Sequence, residues 1–566
     1  MKFSIAKDNM NDKKVLRIIN LGGTETVTKN LTVYEYDDEI IAVDCGVYFP
    51  DSEMHGVDVV IPDFTYLEEN SHKFKALFIT HGHEDHFGAV PYFLDRFDVP
   101  IYADKLVQGF LRERFKDKDS KKYAEKVRFV DFESSTPEVH LKHFKVSAFG
   151  VNHSVPDSKG LAIRTPEGLV LHIADFKVDW TPVIDPPIEI DKIANFGNEG
   201  VLCLLSDCLG VTKEGMSASE VTIEPTFLDL FEKAKGRQLM ITTISSNLSR
   251  MYQIIKTAEH YGRKVVLGGR SIQQSVSVAQ NLGYLPFPDD LFVSEKSAQS
   301  QNQGNIVYII AGCYGQVGSA LERVSRDENE RIYLEDNAMI VFSADPNPPG
   351  TDVMVEKVMD RLTLKGAEVV YSDIQDNLHI SGHGTKGDLT LIAQLAKPKY
   401  FIPIGGTITK MRAYRNMLVE LGIEKERVFE NLEGESVEFS NGEATVGSTI
   451  KTELVMIGSD TGEISPIVMK DREQLSSEGV FVVVVPRDKN GNLVPEKSEI
   501  ITRGFIYVKE SPELMQQYRD FAAKSINKWL DKDKDWNELK RKVELDFEKY
   551  LYKKSRRRPM VLVHSI

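Results

Sequence analysis

The stretch "HGHEDH", residues 81–86, sets three histidines and two acids in six positions. His81, His83 and His86 are separated by two and then three residues. Positions i and i+2 of a helix point apart, so this spacing excludes a helical HExxH site. The apolar run from Ala76 to Ile79 predicts a strand that ends in a loop, where side chains converge from several directions. Imidazole nitrogens and carboxylates are what zinc or manganese accept. The pattern offers His81 and His83 to one metal, and Asp85 and His86 to a second. Only 13 histidines occur in 566 residues, so three in one loop mark a ligand cluster.

One loop cannot complete two metal sites, and further ligands are expected at other strand ends. "VSAFGVNHS" runs like a strand into His153, and "LVLHIADF" into Asp175, whose two carboxylate oxygens suit a bridge between metals.

The length exceeds what one hydrophobic core serves, so two to four domains are expected. Hydrophobic residues at 41% and charged residues at 27% describe a soluble globular chain. The N-terminus "MKFSIAKDNMNDKKVLRI" lacks the apolar run of a signal peptide. No apolar stretch approaches the roughly 18 residues of a membrane span. Cys45, Cys203, Cys208 and Cys313 show no metal-ribbon spacing and read as buried filler in a reducing cytoplasm. A net charge of −15 argues against holding nucleic acid by bulk electrostatics, though a local channel remains compatible with it. The most basic run, "KKSRRRP" at 553–559, reads as a solvated helix end.

Residues 14–212 alternate strands with loops and short helices. From 216 to 370 the chain turns to a βα alternation typical of a parallel sheet. Strands and a helix return over 371–450. Beyond about 465 a separate α+β module is expected. "GVFVVVVPRDKNGNLV" predicts a hairpin turning at Asn490-Gly491. Ser511 is expected to cap a helix with Pro512 at its first position. A second helix ends near Lys554, and "PMVLVHSI" is a final strand.

The HxHxDH loop with a later His and a later Asp resembles the metallo-β-lactamase fold. "LGG" (21–23), "KN" (29–30), "VIPDFTYLEEN" (60–70), "HSVPDS" (153–158), "EGVLCLLSD" (199–207), "HISGHG" (379–384) and "EIITRGFIYV" (499–508) resemble bacterial ribonuclease J more specifically. The resemblance implies an α/β and α+β chain. A metallo-β-lactamase αββα sandwich (14–212 and 372–450) carries an inserted β-CASP parallel α/β domain (213–371). A linker (451–465) leads to a C-terminal α+β domain (466–566).

The resemblance also implies a site. His81, His83 and His153 hold one divalent metal, Asp85 and His86 the other, and Asp175 bridges; Zn2+ is expected first, with Mn2+ or Mg2+ as alternatives. The nucleophile is a metal-bound hydroxide. His383 is the general acid, Asp85 and Asp207 share the catalytic set, and Asp207 orients histidines. His379, Ser381, Gly382 and His383 bind phosphate, while Ser246, Asn247 and Arg250 either contact the RNA 5′ end or form a structural turn. The substrate is single-stranded RNA, preferably 5′-monophosphorylated, cut by 5′→3′ exonuclease and endonuclease activity in RNA processing and decay. A cytoplasmic homodimer or tetramer, or pairing with a paralogous ribonuclease J subunit, is implied, with no membrane.

Two departures from the family pattern stand out. "FIPIGGT" (401–407) has Gly405 where the family carries a last metal histidine, which weakens the second site. The Gly-rich "GGVGEIGKN" becomes "GGTETVTKN" (22–30). Gly405 motivates a rival reading, a weakly active or non-catalytic RNA-binding subunit that partners an active paralogue. A hydrolase of small thioesters or lactams is disfavoured, since it needs neither the inserted segment nor "HISGHG".

Overall fold

The computed structural model describes residues 14–51, 53–118, 120–344, 352–458, 462–505, 512–530 and 535–566. The chain divides into two compact units, Met1–Tyr48 with Ile61–Leu454, and Phe49–Val60 with Val455–Ile566.

The first unit contains two facing sheets. Eight strands run in the order Glu443–Val446, Ser436–Ser440, Leu16–Gly22, Leu31–Tyr36, Glu39–Val43, Phe74–Phe78, Ile101–Ala103 and Phe129–Asp131. Six strands form the second sheet, in the order Tyr400–Ile404, Val201–Asp207, Gly168–Ile173, Lys159–Thr165, Lys145–Gly150 and Val139–His140. Strand side chains alternate between faces. Ile18, Tyr34, Ile41 and Phe78 of one sheet therefore pack on Leu161, Val170, Leu205 and Ile402 of the other. On its outer face the second sheet buries Leu171 and Ile173 against Leu389, Ile392, Met411 and Tyr414 from the helices Lys386–Ala396 and Ile408–Glu420. This is the expected αββα sandwich.

The inserted segment folds as a wholly parallel sheet, ordered Lys264–Gly268, Ile306–Ile310, Leu239–Thr242, Met339–Phe342 and Glu368–Val370. Both of its faces are covered, as parallel sheets require. Leu239, Ile241, Val307 and Ile309 serve one core, and Met240, Ile306, Tyr308 and Ile310 the other.

Arg250 ties the insertion to the sandwich. It lies in the first turn of the helix Leu248–His260 and is fully buried. Its Nε donates to Glu220 Oε1 at 2.7 Å, where the chain enters the insertion. Its Nη1 donates to Ser343 Oγ at 2.7 Å and to the carbonyl oxygens of Ser343 and Leu378 at 2.9 and 3.0 Å, and Leu378 is where the chain leaves it.

In the second unit the strands Glu499–Arg503, Val480–Val485 and Met560–Ser565 form a sheet. Phe481, Val483 and Val485 pack on Met515, Tyr518, Val543 and Phe547 of the helices Pro512–Leu530 and Trp536–Ser555. Residues 451–465, expected as a linker, instead carry the antiparallel strands Val455–Gly458 and Gly462–Ile464. The expected turn is present, with Gly491 at φ 83° and Asp488 N–H donating to the Asn492 carbonyl at 2.8 Å. The ladder partner of Val480–Val485 is nevertheless Glu499–Arg503, so only the bridge between Arg487 and Leu493 flanks that turn. The Ser511 cap lies outside the described residues, as do residues 1–13 of the N-terminal stretch. All four cysteines are free and buried. Among the described residues no helix is long and apolar enough to cross a membrane.

Removing one partner of a buried ion pair leaves the other charge uncompensated, which costs about 3–5 kcal/mol. Arg250→Met is therefore expected to lower stability by that order. A lower urea midpoint checks it, and an unchanged one refutes the tie.

Candidate metal centre

The residues of the centre sit at the carboxyl ends of strands from both sheets. His81 follows Phe74–Phe78, His153 follows Lys145–Gly150, Asp175 follows Gly168–Ile173, and Asp207 ends Val201–Asp207. Gly405 follows Tyr400–Ile404. Side chains from strand ends converge there, as in open α/β sheets generally. His83 precedes the short helix Glu84–Phe87, which turns Asp85 and His86 back toward the same point.

Three groups able to hold a metal share one carboxylate, Asp175, the third of them with Asp207 and His383. Donor atoms of His81, His83, His153 and Asp175 all lie within 4.8 Å of one another, as do those of Asp85, His86 and Asp175. Asp175 Oδ2 lies 3.7 Å from His81 Nε2, 3.5 Å from His86 Nε2 and 3.5 Å from His153 Nε2. His153 Nε2 and His83 Nδ1 are 3.0 Å apart. The Nε2 atom of His81 is buried without a hydrogen-bond partner among the described residues. A buried orphan nitrogen facing a carboxylate and two more imidazoles is a donor set that fits a divalent cation.

The protonation states agree with that fit. Burial holds the imidazoles of His81 and His153 well below their ordinary range and takes His83 down to about 3, so these three are neutral and ligand-ready. His86 behaves oppositely. Burial disfavours its charge, yet the carboxylates of Asp175, Asp44 and Asp85 outweigh that and raise it well above normal. Burial raises Asp85, whereas Asp175 is held well below the usual carboxylate range because the surrounding imidazoles outweigh its desolvation.

A supporting layer fixes the rings, and sequence reasoning missed most of it. Asp44 Oδ2 meets His86 Nδ1 at 2.8 Å, and Asp44 Oδ1 accepts from Thr80 N–H at 2.8 Å. Thr80 Oγ1 lies 3.0 Å from His81 Nδ1. Each such partner turns the Nε2 of its ring toward the centre. Asn30, within the quoted "KN", places its Nδ2 3.1 Å from both the Asp85 carbonyl oxygen and His86 Nε2. A Cβ on Gly46 would lie 1.5 Å from the Asp85 carbonyl oxygen, so only glycine lets the strand after Val43 approach the ligand loop this closely. The one signal for Asp44 was an acid directly after an apolar strand.

The "HISGHG" loop closes the opposite side. His153 Nδ1 bonds the Gly382 carbonyl oxygen at 2.7 Å. Ser381 Oγ accepts from His383 N–H at 3.1 Å. His383 Nδ1 is 2.8 Å from Asp207 Oδ2, and its Nε2 is 3.8 Å from Asp175 Oδ2. Burial alone would depress His383, but Asp207 and Asp175 outweigh it and push its pKa up to about 9. Burial, with Arg250, Lys213 and Lys177 nearby, brings His379 down to about 3. His379 Nδ1 is buried without a partner among the described residues.

Three expected RNA contacts look different in place. Asn247 caps its helix, with Oδ1 accepting from Arg250 N–H at 2.9 Å. Arg250, expected at the RNA 5′ end, is closed to solvent and spends its donors on protein oxygens; its Nη2 has no partner among the described residues and is shut in as well. Its reach into the site is through Leu378, one residue before His379. Ser246 stays half-buried just before that cap.

Gly405 stands beside the centre at φ +67°, and a Cβ there would meet Asp175 Oδ1 and Asp207 Oδ1, each at 3.6 Å. The position faces the Asp175 carboxylate but has no side chain to offer a metal.

Comparison with known proteins identifies the domains. Residues 28–176 match the metallo-beta-lactamase superfamily model, 235–362 the ribonuclease J beta-CASP domain and 467–566 the ribonuclease J C-terminal domain. The chain is 34% identical over 554 residues to "Ribonuclease J2" of Bacillus subtilis (strain 168), covering 97% of this chain and 98% of that one. It is 31% identical to "Ribonuclease J 2" of Staphylococcus epidermidis (strain ATCC 12228 / FDA PCI 1200) over 97% and 98% of the two chains. Against "Ribonuclease J" of Synechocystis sp. (strain ATCC 27184 / PCC 6803 / Kazusa) the identity is 33%, over 97% of this chain and 86% of that one. A crystal structure of a protein of unknown function from Enterococcus faecalis V583 shares the fold, with TM-score 0.53 and 15% identity over 75% of this chain and all of the other. The chain belongs to the ribonuclease J family, RNA-processing hydrolases built on a metallo-β-lactamase core with a β-CASP insertion.

Proposed function

We propose that the protein is a metal-dependent ribonuclease that cuts single-stranded RNA by 5′→3′ exonucleolysis and by endonucleolysis, with a preference for a 5′-monophosphate. The observation that carries this reading is His383, held by Asp207 at 2.8 Å and facing Asp175 across 3.8 Å. A histidine kept protonated at neutral pH beside a bridging carboxylate is equipped to give a proton to a leaving 3′-oxygen. His81, His83 and His153 would hold one metal, Asp85 and His86 the other, with Asp175 between them. Bound there, divalent metals (Zn2+ first, Mn2+ or Mg2+ as alternatives) supply an activated water and neutralise charge developing on the phosphodiester.

The remaining work falls to the chain's own groups. Asp207 accepts from His383 Nδ1–H and fixes the ring's orientation, so the proton the imidazolium can give up is the one on Nε2, which faces the centre. Ser381 holds the His383 backbone, and Lys213 lies near His379. A lysine there suits a substrate phosphate. Assembly is read as a cytoplasmic homodimer or tetramer. Its support is an apolar stripe on the C-terminal sheet, where Ile501 and Leu562 flank Val482 in register and are 46% and 42% exposed.

The purified full chain with Mn2+ or Zn2+ is expected to degrade 5′-monophosphorylated RNA. Asp85→Asn and His383→Ala should abolish turnover with an unchanged circular-dichroism spectrum. RNA left intact by the wild-type chain under both metals would sink the reading.

The pH profile tests the acid. Because Asp207 raises His383, the alkaline limb of kcat follows loss of that proton, and removing the carboxylate lowers the pKa. Asp207→Asn should thus move the alkaline limb to lower pH. A limb that stays in place removes His383 from the acid role.

The second reading, a weakly active subunit that partners a paralogue, is favoured by Gly405 alone. It leaves the second group with Asp85, His86 and the shared Asp175. A Cβ at 405 meets no clash, and histidine tolerates the left-handed region better than most residues, at a cost of about 1–2 kcal/mol. Gly405→His is expected to tighten the weaker metal by about tenfold in calorimetry and to raise kcat with it. Equal affinity and rate would mean that the missing ligand does not limit the enzyme.

A further inference from the structure

The basic run near the C-terminus is the largest charged feature that the metal centre leaves unexplained. Tyr552, Lys553, Lys554, Ser555, Arg556, Arg557 and Arg558 are all exposed. The helix Trp536–Ser555 ends among them, with Arg556 at its C-cap in the left-handed region at φ 60°. Lysines 553 and 554, in the last turn, already complement the negative end of the helix. The three arginines lie beyond that turn, where the helix dipole no longer calls for charge.

Their side chains have no acidic partner among the described residues. The Arg556 and Arg558 guanidinium carbons sit 5.6 and 4.6 Å from the centre of the Tyr552 ring. Glu478 accepts only the backbone N–H of Arg558, at 3.3 Å, and Gln474 Nε2 donates to the Arg558 carbonyl at 3.0 Å. Those two bonds fix the path of the chain and leave the guanidiniums free. One aromatic ring thus gathers two guanidiniums by cation–π contact, and a third stands between them in sequence. Side by side without a counter-ion they repel one another, and a polyanion relieves that repulsion. In a chain of net charge −15 such a concentration is local rather than general.

We infer that Arg556, Arg557 and Arg558, gathered by Tyr552, form a second RNA-binding surface, carried by the second unit, that holds the phosphodiester backbone of single-stranded RNA. The ligand is chosen by charge: repeated phosphates match guanidinium forks without base recognition. Naming that polyanion as RNA rests on the ribonuclease reading of the metal centre.

The test uses the full chain, stripped of metal so that nothing is cut, with a long unstructured RNA and fluorescence anisotropy across a salt series. Each phosphate neutralised on a single strand contributes about 0.7 to the slope of log K against log salt. The triple variant Arg556→Gln, Arg557→Gln, Arg558→Gln is expected to lose about 2 from that slope, and Arg557→Gln alone about 0.7. An unchanged slope in a triple variant with wild-type circular dichroism overturns the inference. So does binding of fluorescent polyglutamate that the triple variant loses while its RNA slope stays put, which would assign the surface to an acidic protein. Cleavage by the metal-loaded wild type is measured separately. Cleavage with an unchanged slope defeats this surface alone, and a lowered slope without cleavage defeats the ribonuclease reading alone.

Discussion

The first unit is organised around one buried carboxylate. Asp175 Oδ2 has the Nε2 atoms of His81, His86, His153 and His383 within 3.8 Å. A carboxylate this deep is unstable unless its charge is answered nearby. In the protein alone the answer is protonated His86 and His383; with cations bound it would be the metals. Either way, strand ends from two separate sheets must meet at one edge, and the αββα sandwich is the architecture that makes them meet.

The layer behind the ligands explains why that meeting is rigid. Asp44 links His86 to Thr80, Thr80 touches His81, and the Gly382 carbonyl holds His153. Every ring is fixed through its Nδ1 except that of His83, whose Nδ1 faces His153 and whose Nε2 lies 3.2 Å from Ser154 Oγ. The loop "HGHEDH" is therefore poised by groups from the strand ends after Val43 and Phe78, and by a loop some three hundred residues away. Gly46 permits the approach, since no other residue leaves room for the Asp85 carbonyl.

The inserted sheet contributes by position more than by ligands. Entry at Glu220, exit at Leu378 and the strand end at Ser343 are pinned to the single side chain of Arg250. That pin precedes "HISGHG" by one residue and so sets where His379, Ser381 and His383 begin. Arg250 thus acts as structural support for the neighbouring motif.

By itself the sequence picked out the candidate ligands that crowd into six residues and those that end apolar strands. Metal chemistry demands residue types that seldom cluster, so His81, His83, Asp85, His86, His153 and Asp175 were legible as one candidate cluster before any fold. The parallel insertion was equally plain, because its helix–strand alternation is a local pattern. Asp44 and Thr80 were hidden, since one acid or threonine after a strand carries no local mark. The burial of Arg250 was hidden for a related reason: an arginine in a helix's first turn is ordinarily solvated, and only long-range packing closes this one off. The strands at 455–458 and 462–464 are too short to announce themselves within a stretch that read as a linker. Tertiary structure alone decided these features, because burial and hydrogen-bond partners depend on residues far apart in the chain, whereas ligand type and periodicity are written locally.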